Sequence, residues 1–215
     1  MRNRQTLTSA LADLLRVDCA RDKATAVRRL IAQWQDGGFA SIGDETPPAR
    51  PGRPDRPQLR PPREVPRRRI TRATEGRVAL VHAIAHIELN AIDLALDMAC
   101  RYVAHQLPHD FYTDWLSIAD DEARHFLMLC DRLAAMDAGY GDLPAHDGLW
   151  QAAQETADDL LGRLAIAPLV LEARGLDVTP AMINRLQAVA DPETAAAFTI
   201  ITVSYTHLTL PTIAK

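Results

Sequence analysis

Eight of the chain's fourteen prolines fall within residues 47–66, in the stretch PPARPGRPDRPQLRPPREVP. Proline removes a backbone donor, fixes its own φ and pushes the residue before it toward extended conformations. Neither a helix nor a central strand survives there, so any core must come from what flanks the segment. From Arg50 to Arg72 the chain carries nine arginines against Asp55 and Glu64. Two readings are open. One is a basic arm for nucleic acid. The other is a polyproline-like strap that wraps a core and pairs its arginines with acidic helix faces. The absence of aromatics that could stack on single-stranded bases favours the strap.

Helical spacing dominates on both sides. Residues 5–36 predict two short helices, one carrying Leu7, Leu11, Leu14 and Leu15, the other Ala26, Val27, Leu30, Ile31 and Trp34. Beyond the strap, a helix is expected from about Glu75 to Gln106, with Val81, Ile84, Ala85, Glu88, Ala91, Ile92, Ala95 and Leu96 on one face. A second is expected from about Asp110 to Ala138, stopping at Gly139, and a third from about Leu149 to Arg174, stopping at Gly175. A short helix, a turn at Asp191-Pro192 and the beginning of a fourth long helix follow. No alternating β-branched run occurs before residue 198. The expected class is all-α: an N-terminal helical extension over 1–46, the Pro/Arg-rich strap over 47–74 and a helical bundle over 75–202.

Composition narrows the function. Hydrophobic residues make up 47% of the 215, enough for a core, and the net charge of −4 gives no bulk attraction to DNA or membrane. The N-terminus MRNRQTLTSALADLLRVD has no continuous apolar region, and no run of about 18 apolar residues is evident, so neither a signal peptide nor a membrane span is expected. Cys19, Cys100 and Cys130 have no metal-binding spacing and fit a reducing compartment, so a cytoplasmic protein is expected. No GxGxxG, Walker loop or GxSxG occurs, which argues against Rossmann, P-loop and nucleophile-elbow enzymes.

Three positions break the hydrophobic pattern. Glu88 sits on the apolar face of its helix, and an isolated buried carboxylate costs several kcal/mol unless it is paired or metal-bound. Glu122 and His125, in ADDEARHFLML, are three apart and reach one point from one helix face. Glu172 ends IAPLVLEARG, with Pro168 inside the helix as an expected kink. Each has an ordinary reading: a salt bridge to a strap arginine for Glu88, a solvated pair for Glu122 and His125, a helix end for Glu172. Their order changes the weighing. Ferritin-like di-metal bundles place a single Glu on two helices and Glu-x-x-His on the other two, and here three successive long helices offer single, pair, single. His82 and His86 are spaced i, i+4 but form no HExxH, so they read as core residues or as supports behind the ligands. His146 and Asp147, in PAHDGLW, either cap and gate the site or anchor their own loop.

The stretches GRVALVHAIAHIELNAIDLALDMACRY, FYTDWLSIADDEARHFLMLCDRL, YGDLPAHDGLW and LEARGLDVTP resemble the DUF455 family of bacterial ferritin-like proteins, and RPGRPDRPQLRPPREVPRR is similar to the segment that precedes the bundle there. The resemblance covers roughly residues 5–202. That family is related in fold to the tRNA 2-methylthio-N6-isopentenyladenosine hydroxylases, which are di-iron oxygenases. The resemblance implies a ferritin-like four-helix bundle with Glu88, Glu122, His125 and Glu172 as ligands to iron, two ions in a complete site, with manganese as a substitute.

The pattern departs after Glu172. The remaining acids are Asp177, Asp191 and Glu193 and the remaining histidine is His207, and none forms a carboxylate-x-x-His. VSYTHLTLPTIAK has β-branched residues, Pro211 and no helical stripe. Back-translated, Val203–Thr212 is similar to a transposon-end adapter used in short-read library preparation. The tail 203–215 is therefore expected to be non-native, with the authentic chain ending near Thr202 and the fourth bundle helix mostly missing. A genuinely divergent C-terminus is the alternative. On either reading iron binding is expected to be weak for this sequence. Two functions stay open: an O2-dependent di-iron oxidoreductase or hydroxylase, with an RNA or small-molecule substrate and a redox partner, or a non-catalytic helical module that binds a partner or RNA.

Overall fold

The computed structural model describes residues 5–208, with side chains described at all of them except 167–178 and 205–208. The described chain is all-α. It contains α1 (Leu7–Arg16), α2 (Ala20–Gln35), α3 (Thr74–Arg101), α4 (His109–Ala134), α5 (Gly148–Glu155), α6 (Leu160–Ala188) and α7 (Pro192–Leu208), with short 3₁₀ turns at Pro62–Glu64 and Val103–His105. No strand occurs among the described residues, whose β pairing is a single isolated bridge from Leu59 to Ala145. Two compact units divide the chain. The first combines Met1–Asp55 with Glu88–Leu127, the second Arg56–Ile87 with Met128–Lys215.

In the first unit, Thr6 caps α1 by accepting from the Ser9 N–H at 3.3 Å, a contribution of about 1 kcal/mol. Leu7, Leu11 and Leu15 then fall on one face and are fully buried. The strap closes on this layer where the Gly52 N–H donates to the Leu15 carbonyl at 2.6 Å. A Cβ at Gly52 would overlap the Arg16 carbonyl, so the close approach requires glycine. Arg53 follows immediately. Its guanidinium lies 2.9 Å from Asp93 Oδ2 and donates to Asn90 Oδ1 at 2.9 Å. Of the two readings of the arginine-rich segment, this contact is the strap pairing with a helix face.

In the second unit, α6 and α7 pack against each other. Asp191 fastens the start of α7. It accepts the Thr194 N–H and hydroxyl at 3.1 and 2.9 Å, and it pairs with Arg77 of α3 and Arg132 of α4 at 2.8 Å each. With Pro192 at the first helical position, this matches the expected turn at Asp191-Pro192.

Five helix boundaries differ from the sequence expectation. α3 ends at Arg101 rather than near Gln106, because the chain passes into the Val103–His105 turn and Gln106 takes a left-handed conformation (φ 51°). α4 ends at Ala134 rather than before Gly139, because Asp137 takes the left-handed position (φ 57°) and the Ala138 N–H returns to the Leu133 carbonyl. The expected third helix is two helices. Asp159 caps α6 by accepting from the Gly162 N–H at 3.0 Å, while the buried Arg163 donates to Thr156 Oγ1 at 2.8 Å and to the Ala153 carbonyl, closing the end of α5. α6 then continues through Gly175 to Ala188, since a glycine ends a helix only where the chain turns left-handed. α7 runs through Val203 to Leu208 despite five successive β-branched residues from Thr199 to Val203. The Thr199 and Thr202 hydroxyls return to the Ala195 and Phe198 carbonyls at 2.9 and 2.8 Å, which satisfies them within the helix. Residues 209–215 of the expected non-native tail lie outside the described residues.

α3 is long and apolar enough to cross a membrane by length and composition alone, a stretch not singled out in the sequence, and 67% of that apolar window is buried inside the fold. It also carries the buried acids Glu88, Asp93 and Asp97, as a core helix with polar partners does.

Candidate metal centre

Glu88 of α3 and the one-turn pair Glu122 and His125 of α4 meet in the first unit. Each offers one donor atom, and the three atoms lie within 4.8 Å of one another. His125 Nδ1 stands 3.6 Å from Glu88 Oε2 and 3.5 Å from Glu122 Oε2. The three residues are 1%, 2% and 1% exposed for Glu88, Glu122 and His125. Leu89, Ile92, Ala119, Ala123 and Phe126, on the adjoining turns of the same helices, are fully buried as well, so the donors belong to an apolar layer.

The electrostatics follow from this enclosure. Burial, reinforced by the neighbouring Glu88 carboxylate, holds Glu122 well above the usual carboxylate range, against the opposing pull of His125. Burial alone would lower His125, but the two carboxylates outweigh it and raise the imidazole to about 9. Glu88 Oε2 and Glu122 Oε2 make no hydrogen bond among the described residues. Two buried carboxylate oxygens without a donor, aimed at one imidazole nitrogen, form a donor set that suits a divalent cation.

The structure thus brings together three of the four ligands expected from the sequence. Glu172 falls on α6, and its side chain lies outside the described residues. His82 and His86 anchor a loop in the second unit. His82 Nε2 accepts the Gly141 N–H at 3.0 Å and its ring stacks on Tyr140, while His86 Nδ1 meets the Tyr140 hydroxyl at 2.8 Å. Burial lowers His82 to about 4, with Asp142 opposing the shift. His146 is exposed, and its Nδ1 accepts the Gly148 N–H at 3.1 Å. The Asp147 carbonyl accepts the Gln151 N–H at 3.0 Å as α5 begins. Both of these contacts lie within the loop and the first turn of α5.

Sequence reasoning missed a second polar cluster on α3. Asp93 is buried between Lys23 of α2 at 2.8 Å and Arg53 of the strap. One turn on, the buried Asp97 is clasped by Arg101, with the shortest contact at 2.6 Å. The signal was present as two further acids, spaced i, i+4, inside the apolar run NAIDLALDMAC.

A relative from Haemophilus influenzae, named only as an uncharacterized protein, is 44% identical over 138 residues, covering 62% of this chain and 48% of its own. The chain therefore spans 48%, about half, of that relative's length. No solved structure matches the chain. The profile of DUF455, described as a protein of unknown function, matches residues 16–207, from the last residue of α1 to near the end of α7. The chain belongs to the DUF455 family.

Proposed function

We propose that the chain is a ferritin-like metal-carboxylate protein and acts as an O2-dependent oxidoreductase of the hydroxylase type. Glu88, Glu122 and His125 hold a transition metal, iron in the first instance and manganese as the substitute. The observation that carries this reading is the convergence of three buried donors, two of them carboxylate oxygens that make no hydrogen bond among the described residues. Oxygen and nitrogen donors without thiolate suit iron or manganese. Iron held in this way supplies the redox chemistry that couples dioxygen to oxidation of a C–H bond.

The protein's own contribution is positional. Glu122 and His125 project from successive turns of α4, so their spacing is fixed by the helix, and α3 supplies Glu88. The buried residues on the adjoining turns keep water from the donors, which strengthens their hold on a cation.

The test is anaerobic loading with Fe(II), removal of free metal, and measurement of retained iron and of oxygen uptake. Because this sequence lacks the second carboxylate-x-x-His, the expected result is weakly held iron at less than two per chain in the wild type, with little or no O2 turnover on exposure to air. Glu88→Gln and Glu122→Gln should each lose most of that iron. Iron retention that is unchanged in both variants would overturn the assignment.

A further inference from the structure

The second unit contains a groove whose charge is of one sign. Arg68, Arg69 and Ile70 of the strap, Leu80 of α3, and Met182 and Arg185 of α6 line an open cavity of about 410 Å³. Its lining holds three arginines and no acidic residue. The strap is held close here because Gly76, in the first turn of α3, has no Cβ. A side chain there would overlap the Arg69 carbonyl.

Four half-buried arginines elsewhere in the described chain are neutralised. Arg53 meets Asp93, Arg77 and Arg132 meet Asp191, and Arg101 meets Asp97. Arg69 and Arg185 are exposed, and their side chains make no ion pair or hydrogen bond among the described residues. Arg185 lies in the last turn of α6, where a cation is favoured by the helix dipole. That accounts for one guanidinium and not for Arg69, which is on the strap. The chain as a whole has a net charge of −4, so the lack of an acid here is a local property.

The chemistry of the lining selects the ligand. Guanidinium groups bind phosphate through paired, charge-assisted hydrogen bonds. A phosphate monoester carries a charge of about −1.5 to −2 near neutral pH, which matches two uncompensated arginines. Inorganic phosphate would leave the apolar wall of Ile70, Leu80 and Met182 bare, and a simple carboxylate would leave one guanidinium unmatched. We propose that this groove binds an organic phosphate, a phosphate monoester on an apolar or aromatic body, with Arg69 and Arg185 holding the phosphate. The site is independent of the metal assignment.

The experiment is calorimetric titration of the full chain with 1-naphthyl phosphate at low salt. The expected result is one site per chain, with 1-naphthol and inorganic phosphate each at least about tenfold weaker. The double variant Arg69→Ala/Arg185→Ala should weaken 1-naphthyl phosphate at least about tenfold, leave 1-naphthol unchanged and stay folded with a melting temperature within a few degrees of wild type, because neither side chain makes an ion pair or hydrogen bond among the described residues and only the helix-dipole contribution of Arg185 is lost. Equal affinity in wild type and variant would overturn the proposal, as would 1-naphthol binding as tightly as its phosphate. Binding of a short single-stranded RNA through these arginines that 1-naphthyl phosphate does not displace would also overturn it, in favour of a polyanion surface.

Discussion

Lys23 Nζ lies 2.8 Å from Asp93 Oδ1, with both side chains enclosed, so α2 is fastened to α3 by an ion pair out of reach of water. Arg53 of the strap meets the other oxygen of the same carboxylate at 2.9 Å. One anion therefore serves two cations, and the three partners are not equivalent. Replacing Asp93 with leucine removes the carboxylate that both cations contact and is expected to cost roughly 3–5 kcal/mol. Replacing Lys23 with methionine leaves Asp93 still paired with Arg53, and it removes an ammonium whose pKa burial lowers against the pull of Asp93. Its cost should be smaller, and Lys23→Met combined with Asp93→Leu should recover part of the Asp93→Leu loss. Urea denaturation of the three variants checks the order. A Lys23→Met loss equal to that of Asp93→Leu would show that Arg53 does not share the carboxylate.

The metal assignment makes a separate prediction about stability. Burial first, and the Glu88 carboxylate second, push Glu122 toward its neutral form. Glutamine is close in shape to that neutral form, so Glu122→Gln should leave the metal-free protein as stable as wild type or slightly more so. A metal that binds only the folded state adds about 2.7 kcal/mol at a hundred times its dissociation constant, so Mn(II) should raise the melting temperature of wild type. Glu122→Gln should show little of that rise. An equal rise in both proteins would remove Glu122 from the ligand set.

How much of this was legible in the sequence depended on the range of the interaction. Glu88, Glu122 and His125 were found because acids on an apolar helix face violate helical periodicity, a signal contained within single helices. The Lys23–Asp93–Arg53 cluster escaped because its members are far apart in sequence, and Lys23, with its flanking Arg21 and Asp22, looks like an ordinary surface charge. The end of α4 was misplaced for a related reason. Glycine is the usual left-handed cap, and nothing local to Asp137 announces that it takes that position ahead of Gly139. The break before α6 was readable, as Asp158-Asp159 ahead of an apolar run is an N-cap signature.

His82 gives the second unit a pH dependence of definite sign. Burial lowers its imidazole to about 4, and its Nε2 must be unprotonated to accept the Gly141 N–H. In the unfolded chain histidine titrates near 6.5, so between about pH 6.5 and 4 the unfolded state binds more protons than the folded one. The stability held above pH 6.5 is therefore lost as pH falls through that window, by no more than ~3 kcal/mol. Melting temperatures between pH 7 and 4 should drop for wild type and drop less for His82→Gln. NMR titration of the His82 ring should show no protonation at pH 6, and a midpoint near 6.5 would contradict the buried acceptor role.

Ala190 is the clearest place where the backbone itself carries a cost. It follows α6 with φ 61°, while the Asp191 N–H returns to the Leu186 carbonyl and its own N–H to Gln187. That is a left-handed cap of the kind glycine normally fills, and a Cβ there costs roughly 1–2 kcal/mol. Glycine removes the clash but gives the unfolded chain more freedom, which returns part of the gain. The net expectation for Ala190→Gly is a stabilisation of ~0.5–1 kcal/mol, seen as a rise of a few degrees in melting temperature. Ala190→Val should do the reverse and by more, since a β-branched residue is still less at ease with positive φ. The next residue, Asp191, holds Arg77 and Arg132, so a valine that displaced the turn would also strain those two ion pairs. If glycine and valine shifted the melting temperature in the same direction, the left-handed turn at Ala190 would not be the feature that limits the join between α6 and α7.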